Sequence, residues 1–409
     1  MLIGKTHYAY LTGVSGTRCN ASVTSPDPAA PGNFVVRFLA PRQVDVVEVD
    51  SETLAAGELR VRTLFSGISA GTELTAYRGT NVYLRKQWDS RQRLFTSGVQ
   101  GWAYPLSGWG YSEVGMVSEV APDAELSEVA PDAELGDGSR SGPAVGDLVY
   151  GIWGHRSEAV LPVASVCGKR LPVGVEPVHG VFARVGAIAL NAVLAADMHL
   201  GETVAIFGQG VIGLLATRLA VLSGATVVAV DTDPSRLARS ARLGAEHTIN
   251  AADGEVAEQI RRLTANTGAD VIIEISGSYP GLHEAIRSVA VSGRVVAAGF
   301  YQGDGAGLNL GEEFHHNRIS IVASHIGGLP RALDDRWSID RLHQVFMGLV
   351  QAGQIDLAPL VSRVVPARQA AAAYRMLDEE PGQALQVVLD FRSGDGDPRA
   401  DDGAGSATR

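Results

Sequence analysis

From Asn33 the chain alternates apolar and polar positions at the two-residue period of half-buried strands. FVVRFL, VDVVEVD and ELRVRTLF follow one another at short spacing, which predicts an antiparallel β unit. From about Val185 the texture changes. GAIALNAVLAADMHL has helical spacing, TVAIF is a short continuous apolar run, and VIGLLATRLAVLSG is again helical and stops at a glycine. TVVAV (strand), PSRLARSARLG (helix), DVIIEIS (strand), GLHEAIRSVAVSG (helix) and RVVAAG (strand) continue the alternation. Apolar runs separated by helices predict an α/β fold with a doubly wound parallel sheet covered on both faces. After Ser324 come a long helix (SIDRLHQVFMGLVQAG), the run LVSRVV, a helix near AAAAYRMLDE and the strand ALQVVLDF.

The flanks read differently. Residues 1–32 carry Pro26, Pro28 and Pro31 without a period and are expected to be a partly flexible extension, and the Gly- and Asp-rich 393–409 a disordered tail. SEVAPDAEL occurs twice in succession over 118–135. Two copies are too few for a solenoid, so a duplicated surface loop is expected.

Composition narrows the function classes. With 45% hydrophobic and 19% charged residues the 409-residue chain is an ordinary globular one. A formal net charge of −11 argues against nucleic acid or an anionic membrane as a partner. No apolar run reaches membrane-spanning length, and the N-terminus matches a signal peptide poorly, so a cytoplasmic protein is expected. Cys19 and Cys167 are the only cysteines, which excludes a disulfide scaffold and a four-cysteine zinc site.

Gly208-Gln209-Gly210-Val211-Ile212-Gly213 follows a predicted strand and opens a predicted helix. Gly208 suits a tight turn, Gly210 a close approach of backbone to a pyrophosphate, and Gly213 close packing of helix on strand. The first helical amides would face the phosphates. Asp231 ends the next strand, where a carboxylate accepts ribose hydroxyls and repels a 2′-phosphate, so NAD(H) is expected over NADP(H). Arg236, nearby, either lies against the adenosine or offsets that repulsion. Ser276 and Gly299, at later strand ends, complete this part of the candidate cofactor set.

These segments, with SGISAGTEL (66–74), GWGYSEVG (108–115), GDLVYG (146–151), ARVGAIALNAV (183–193) and VASHIGG (322–328), resemble the medium-chain dehydrogenase/reductase superfamily over about residues 33–392. The resemblance implies a GroES-like β-barrel catalytic domain (33–184), a Rossmann domain (185–324) inserted in it, and completion of the catalytic domain by 325–392. It also implies a homodimer or homotetramer acting on a small-molecule substrate, with backbone groups of Ser324 and Ile326 at the nicotinamide carboxamide. His325 would point away from the cofactor or toward a second subunit.

Alcohol dehydrogenases of that superfamily hold a catalytic zinc on three side chains. The corresponding positions here are Ser69 or Ala70, Tyr111 and Arg184. None suits zinc, so none is expected to bind it; a rearranged set would have to draw on Glu73, Glu113 and His155. Without metal, Tyr111 becomes the candidate to donate a proton to a carbonyl or take one from an alcohol, its pKa lowered by Arg184, or else a pocket wall with a satisfied hydroxyl. Thr72 matches a family relay hydroxyl, or else caps the helix beginning near Glu73. His155 is a candidate acid–base group or a surface-loop histidine. The basic and aromatic stretch 81–95 reads as a solvated amphipathic helix rather than a substrate lid, and His315 and His316 as surface residues.

Three functions stay open. One is zinc-independent, NAD(H)-linked hydride transfer between a secondary alcohol and a ketone of a polyol, sugar-like or specialised metabolite. The others are reduction of an enone or quinone-type double bond, and non-catalytic dinucleotide binding.

Overall fold

The computed structural model describes residues 32–98, 101–122, 142–382 and 384–392. The predicted extension, most of the duplicated loop and the C-terminal tail lie outside them.

The β-rich part begins with the hairpin β1 (Phe34–Ala40) and β2 (Gln43–Glu48). Then come β3 (Glu58–Ile68) and the short helix α1 (Glu73–Arg78). The 81–95 stretch is not a helix. After a single 3₁₀ turn at Val82–Leu84 it forms a second hairpin, β4 (Gln87–Asp89) and β5 (Leu94–Thr96). Arg93 takes a positive φ of 55° at its turn, and Trp88 packs edge-on against Phe95 across the strands. That cross-strand aromatic pairing suits a hairpin more than a helical stripe.

β6 (Glu113–Val120), β7 (Leu148–Gly151) and β8 (Glu158–Pro162) follow, with β3 pairing both β6 and β8. The next helix, α2 (Phe182–Ala196), is continuous with a 3₁₀ turn at Pro177–Val181. Together they make a 20-residue run long and apolar enough for a membrane, a length the sequence reading did not credit, yet 72% of its most apolar window is buried inside the protein. It is a core helix.

Then the βα units begin: β9 (Thr203–Phe207), α3 (Val211–Leu222), β10 (Thr226–Asp231), α4 (Pro234–Arg242), β11 (His247–Asn250), α5 (Val256–Leu263) and β12 (Ala269–Glu274). α6 (Tyr279–Ser288) ends earlier than predicted. The VAVSG segment is already strand, within β13 (Val289–Ala297), because Val289 and Val291 favour extended backbone and Ser292 turns through a φ of 61°. β14 (Ser320–Ala323) closes the sheet. All its pairings are parallel, in the order β11-β10-β9-β12-β13-β14. Chain order reverses between β9 and β12, where a doubly wound sheet opens its ligand crevice.

The chain returns through α7 (Ile339–Gln351), β15 (Val361–Pro366), α8 (Ala370–Glu379) and β16 (Gln386–Asp390). β16 pairs antiparallel with β3, Val387 opposite Ile68, so the last segment rejoins the first sheet. α2 joins the two parts. It packs on α3 and α7 and shares one apolar cluster with Leu214, Leu215, Ile206 and Phe346.

Gly186 is the tightest point of that junction. A Cβ there would land within the ring of Phe346, which has no exposed surface. Gly186→Ala gains about 1 kcal/mol of helix propensity, but overpacking a closed core costs roughly 1–3 kcal/mol. The expected outcome is net destabilisation, read as a lower midpoint in urea at unchanged m-value. An unchanged or higher midpoint would show that α7 can slide away from α2.

Candidate active site

The β3–α1 turn presents Ser69 and Thr72, the loop before β6 presents Tyr111, and the first turn of α2 presents Arg184. The structure brings these together. The Tyr111 hydroxyl is hydrogen-bonded to Ser69 Oγ, and Thr72 and Arg184 lie close enough to act on the phenol. Thr72 stands at the N-cap position of α1, but its side chain makes no capping bond. Burial is the largest influence on Tyr111 and raises its pKa; the hydroxyls of Ser69 and Thr72 and the charge of Arg184 pull it down but do not prevail. The expected lowering is thus corrected to a rise, because desolvating a phenolate outweighs one nearby cation. Arg184 is itself buried, and desolvation brings it down to about 10, against the opposing influences of Tyr111 and Asp340.

Behind this cluster lies a polar network without solvent. His155 is no surface residue: it is 1% exposed, its Nε2 lies 2.8 Å from Glu73 Oε2 and its Nδ1 2.5 Å from Ser66 Oγ. Ser66 donates to Glu113 Oε1 at 3.0 Å, and Glu113 Oε2 accepts the Trp153 N–H at 2.9 Å. Glu73 also accepts the Ser69 N–H at 2.9 Å and the hydroxyl of Tyr374 on α8. The loop bearing His155 is drawn inward by backbone bonds, His155 N–H to Trp109 O and Val36 N–H to His155 O. Ser66 and Tyr374 carried no signal in the sequence beyond their element patterns.

Does this donor set fit the family's zinc? The positions that the resemblance matches to the three ligands carry Ser69 or Ala70, Tyr111 and Arg184, which offer at most a hydroxyl, a phenol and a guanidinium, and an arginine cation opposes a dication. Glu73, Glu113 and His155 do meet, but they bond to one another and through Ser66 instead of facing a common point. Among the described residues no group of three or more His, Cys, Asp or Glu side chains is arranged to hold a metal. The residues do not fit zinc.

The crevice of the parallel sheet does fit a dinucleotide. Gly208 turns at φ 90° between β9 and α3, and a Cβ on Gly213 would fall on the Gly208 carbonyl oxygen. A Cβ at Gly210 would meet nothing within 4 Å, which leaves room at the start of α3, where Val211 and Ile212 supply first-turn amides. Gln209 is held by the protein itself. Its N–H donates to Asp231 Oδ2 at 2.5 Å, and its buried side chain bonds Ile206 O, Thr217 and Ser240. Asp231 also accepts the Asp233 N–H at 2.9 Å. Arg236 lies 4.0 Å from Asp231 and donates to Pro381 O at 2.8 Å.

Across the crevice the sequence reading missed Glu274 at the end of β12. It has no exposed surface, burial raises its pKa, and it gathers Ser276 N–H at 2.9 Å, the Ser276 hydroxyl and the Tyr301 hydroxyl. A Cβ on Gly299 would strike Gly277, so these two loops touch through glycine backbone. Ser324 continues from β14 with its N–H on Ala297 O at 3.0 Å, and Ile326 packs partly buried on the core. His325 is surface-exposed as a residue, yet its imidazole is desolvated enough, and near enough to the charge of Arg184, for its pKa to be lowered. His315 and His316 are exposed, as expected.

Residues 211–339 match the family model for zinc-binding dehydrogenases, a span that begins after Ser69, Tyr111 and Arg184. D-Guloside 3-dehydrogenase of Shigella flexneri is 28% identical over 360 residues, 86% of this chain and 98% of that protein. By structure, galactitol-1-phosphate dehydrogenase from Escherichia coli superposes with a TM-score of 0.68 at 20% identity, covering 87% of this chain and 99% of that one. A zinc-binding dehydrogenase from Sinorhizobium meliloti 1021, solved bound to NADP, gives a TM-score of 0.67 at 21% identity, with 88% and 100% covered. The last two are likenesses of fold.

The buried imidazole generates a prediction. Burial lowers the His155 pKa, but the charge of Glu73, its hydrogen bond and the charge of Glu113 outweigh it, so the net shift is upward. The groups facing it are Glu73, Glu113, Ser66 and Tyr374. A raised folded-state value contributes stability that is complete below the unfolded value of about 6.5 and is lost as pH rises through the folded value. His155→Gln should therefore lower Tm most in mildly acidic buffer, by the equivalent of about 3 kcal/mol, and the gap to wild type should narrow toward alkaline pH. A gap that widens with pH would mean the imidazole is buried neutral.

Proposed function

We propose that this protein, a medium-chain dehydrogenase/reductase by its likeness along the chain, transfers hydride between NAD(H) and a secondary alcohol or ketone of a sugar-like substrate without zinc. The observation that carries the reading is the convergence of Ser69, Thr72, Tyr111 and Arg184, three of which stand at positions that the resemblance matches to zinc ligands. The relationship to a D-guloside 3-dehydrogenase along nearly the whole of both chains supports a sugar-like substrate.

The dinucleotide, when bound, supplies the hydride acceptor or donor, and Gly208, Gly210, the amides of Val211 and Ile212, and Asp231 would hold it. The remaining work falls to this chain's side chains. A carbonyl oxygen becoming an alkoxide needs a proton and a compensating charge. Tyr111, kept protonated by burial, donates the proton. Arg184 stabilises the developing negative charge, and Ser69 and Thr72 orient the phenol. In the reverse direction the substrate hydroxyl gives its proton to the phenolate as hydride leaves its carbon.

Tyr111→Phe should lower kcat about a hundredfold while the Kd for NADH stays within about twofold. Dialysis against a chelator should leave turnover unchanged. One stoichiometric zinc per chain by elemental analysis of pure protein would sink the metal-free reading. An enone reduced faster than the matching ketone would move the protein to the double-bond reductases.

Asp231 supports the cofactor choice, since a 2′-phosphate would sit beside a carboxylate that already fixes the glycine loop. Fluorescence titration should give tighter binding of NADH than of NADPH, and the opposite order would overturn the preference. Asp231→Ala should weaken NADH as well, because Gln209 N–H loses its acceptor.

A further inference from the structure

α2 carries Arg184 at its start and Asn191 two turns later, with Ile188 between them, and spacings of four and three residues put all three on one helix face. Ile188 is the only residue of Phe182–Val193 that is not buried. Asn191 is 2% exposed. Its Nδ2 donates to His325 O at 3.3 Å and Gly328 O at 3.1 Å and approaches Ser324 Oγ at 3.5 Å. Its Oδ1 is buried without a hydrogen-bond partner.

That asymmetry is informative. A buried acceptor left unsatisfied is costly. Turning the amide over would set Oδ1 against two carbonyl oxygens, which is worse, so the donors fix the orientation. The residue is therefore kept for its N–H groups, and those groups serve only residues 324–328, the turn that follows β14.

We propose that Asn191 is a positioning residue for the nicotinamide end of the cofactor, tying the 324–328 turn to α2 so that its backbone groups are preformed for the carboxamide. This rests on the dinucleotide reading above. His325 is held in the same turn by Gly327 N–H on its Nδ1 at 3.1 Å, which leaves its proton on Nε2 when neutral. Asn191 thereby also sets where that imidazole stands relative to Arg184.

The test compares NADH with ADP-ribose, which keeps the adenosine and pyrophosphate but lacks nicotinamide. Asn191→Ala should weaken NADH about tenfold, as expected for two lost donors, and leave ADP-ribose within about twofold. ADP-ribose binding also shows that the Rossmann part of each variant is folded. Asn191→Asp, isosteric but without donors, should weaken NADH at least as much. If the Asp variant binds NADH like wild type, or both ligands weaken equally in the Ala variant, Asn191 is a packing residue and the inference falls alone. If wild type binds neither ligand, the dinucleotide reading falls and takes this one with it.

Discussion

Burying the carboxylate of Glu73 is the constraint around which the catalytic half is organised. A carboxyl group without solvent must collect hydrogen-bond partners, and no single segment supplies enough of them. Glu73 takes one from its own turn (Ser69 N–H), one from the loop after β7 (His155) and one from α8 (Tyr374). These come from sequence positions as far apart as 69 and 374, so the first and last segments close on each other at this acid. Ser69 is set by the same bond, and Ser69 holds Tyr111. The proposed proton donor is thus two steps from a group that touches no solvent.

The Rossmann crevice follows the same logic with different residues. Asp231 and Glu274 stand at the ends of β10 and β12, and each accepts backbone N–H groups of a neighbouring loop. The loops that would face a dinucleotide are therefore fixed by the protein's own carboxylates. The glycines do the complementary task. Gly208, Gly213 and Gly299 let backbone meet backbone where a Cβ would collide. Little reorganisation is left for binding, which is the condition for affinity without a large ordering cost.

Much of this was legible in the chain. TVAIF, TVVAV and DVIIEIS fall on β9, β10 and β12 because buried parallel strands are apolar on both faces, a pattern local sequence displays. The glycine motif was equally plain, since its spacing is dictated by one strand–turn–helix unit. The failures share a physical cause. His155 reads as a loop histidine because its partners, Glu73 and Glu113, are 82 and 42 residues away. The side-chain bonds of Gln209 are not legible because its partners Thr217 and Ser240 lie on two later helices. The 81–95 stretch mixes charges and aromatics in a way that suits either a helix face or a hairpin, and only the Trp88–Phe95 contact separates them. Periodicity reports which face is buried; it carries no record of which polar groups will find each other there.

In the proposed site side chains stand in for a metal, which changes the proton inventory. A zinc ion needs no proton to remain charged; an arginine does. With Arg184 brought down to about 10, the guanidinium is still a cation at neutral pH by a wide margin. Tyr111, raised by burial, is equally firmly a neutral phenol under the same conditions. The resting pair is therefore one proton donor beside one positive charge, the arrangement a ketone oxygen requires as it accepts hydride. Oxidation must begin from the other state, with the phenol deprotonated, and burial makes that state scarce near neutrality. The asymmetry follows from desolvation alone: the burial that holds Tyr111 in place also sets the direction in which the proposed site is poised.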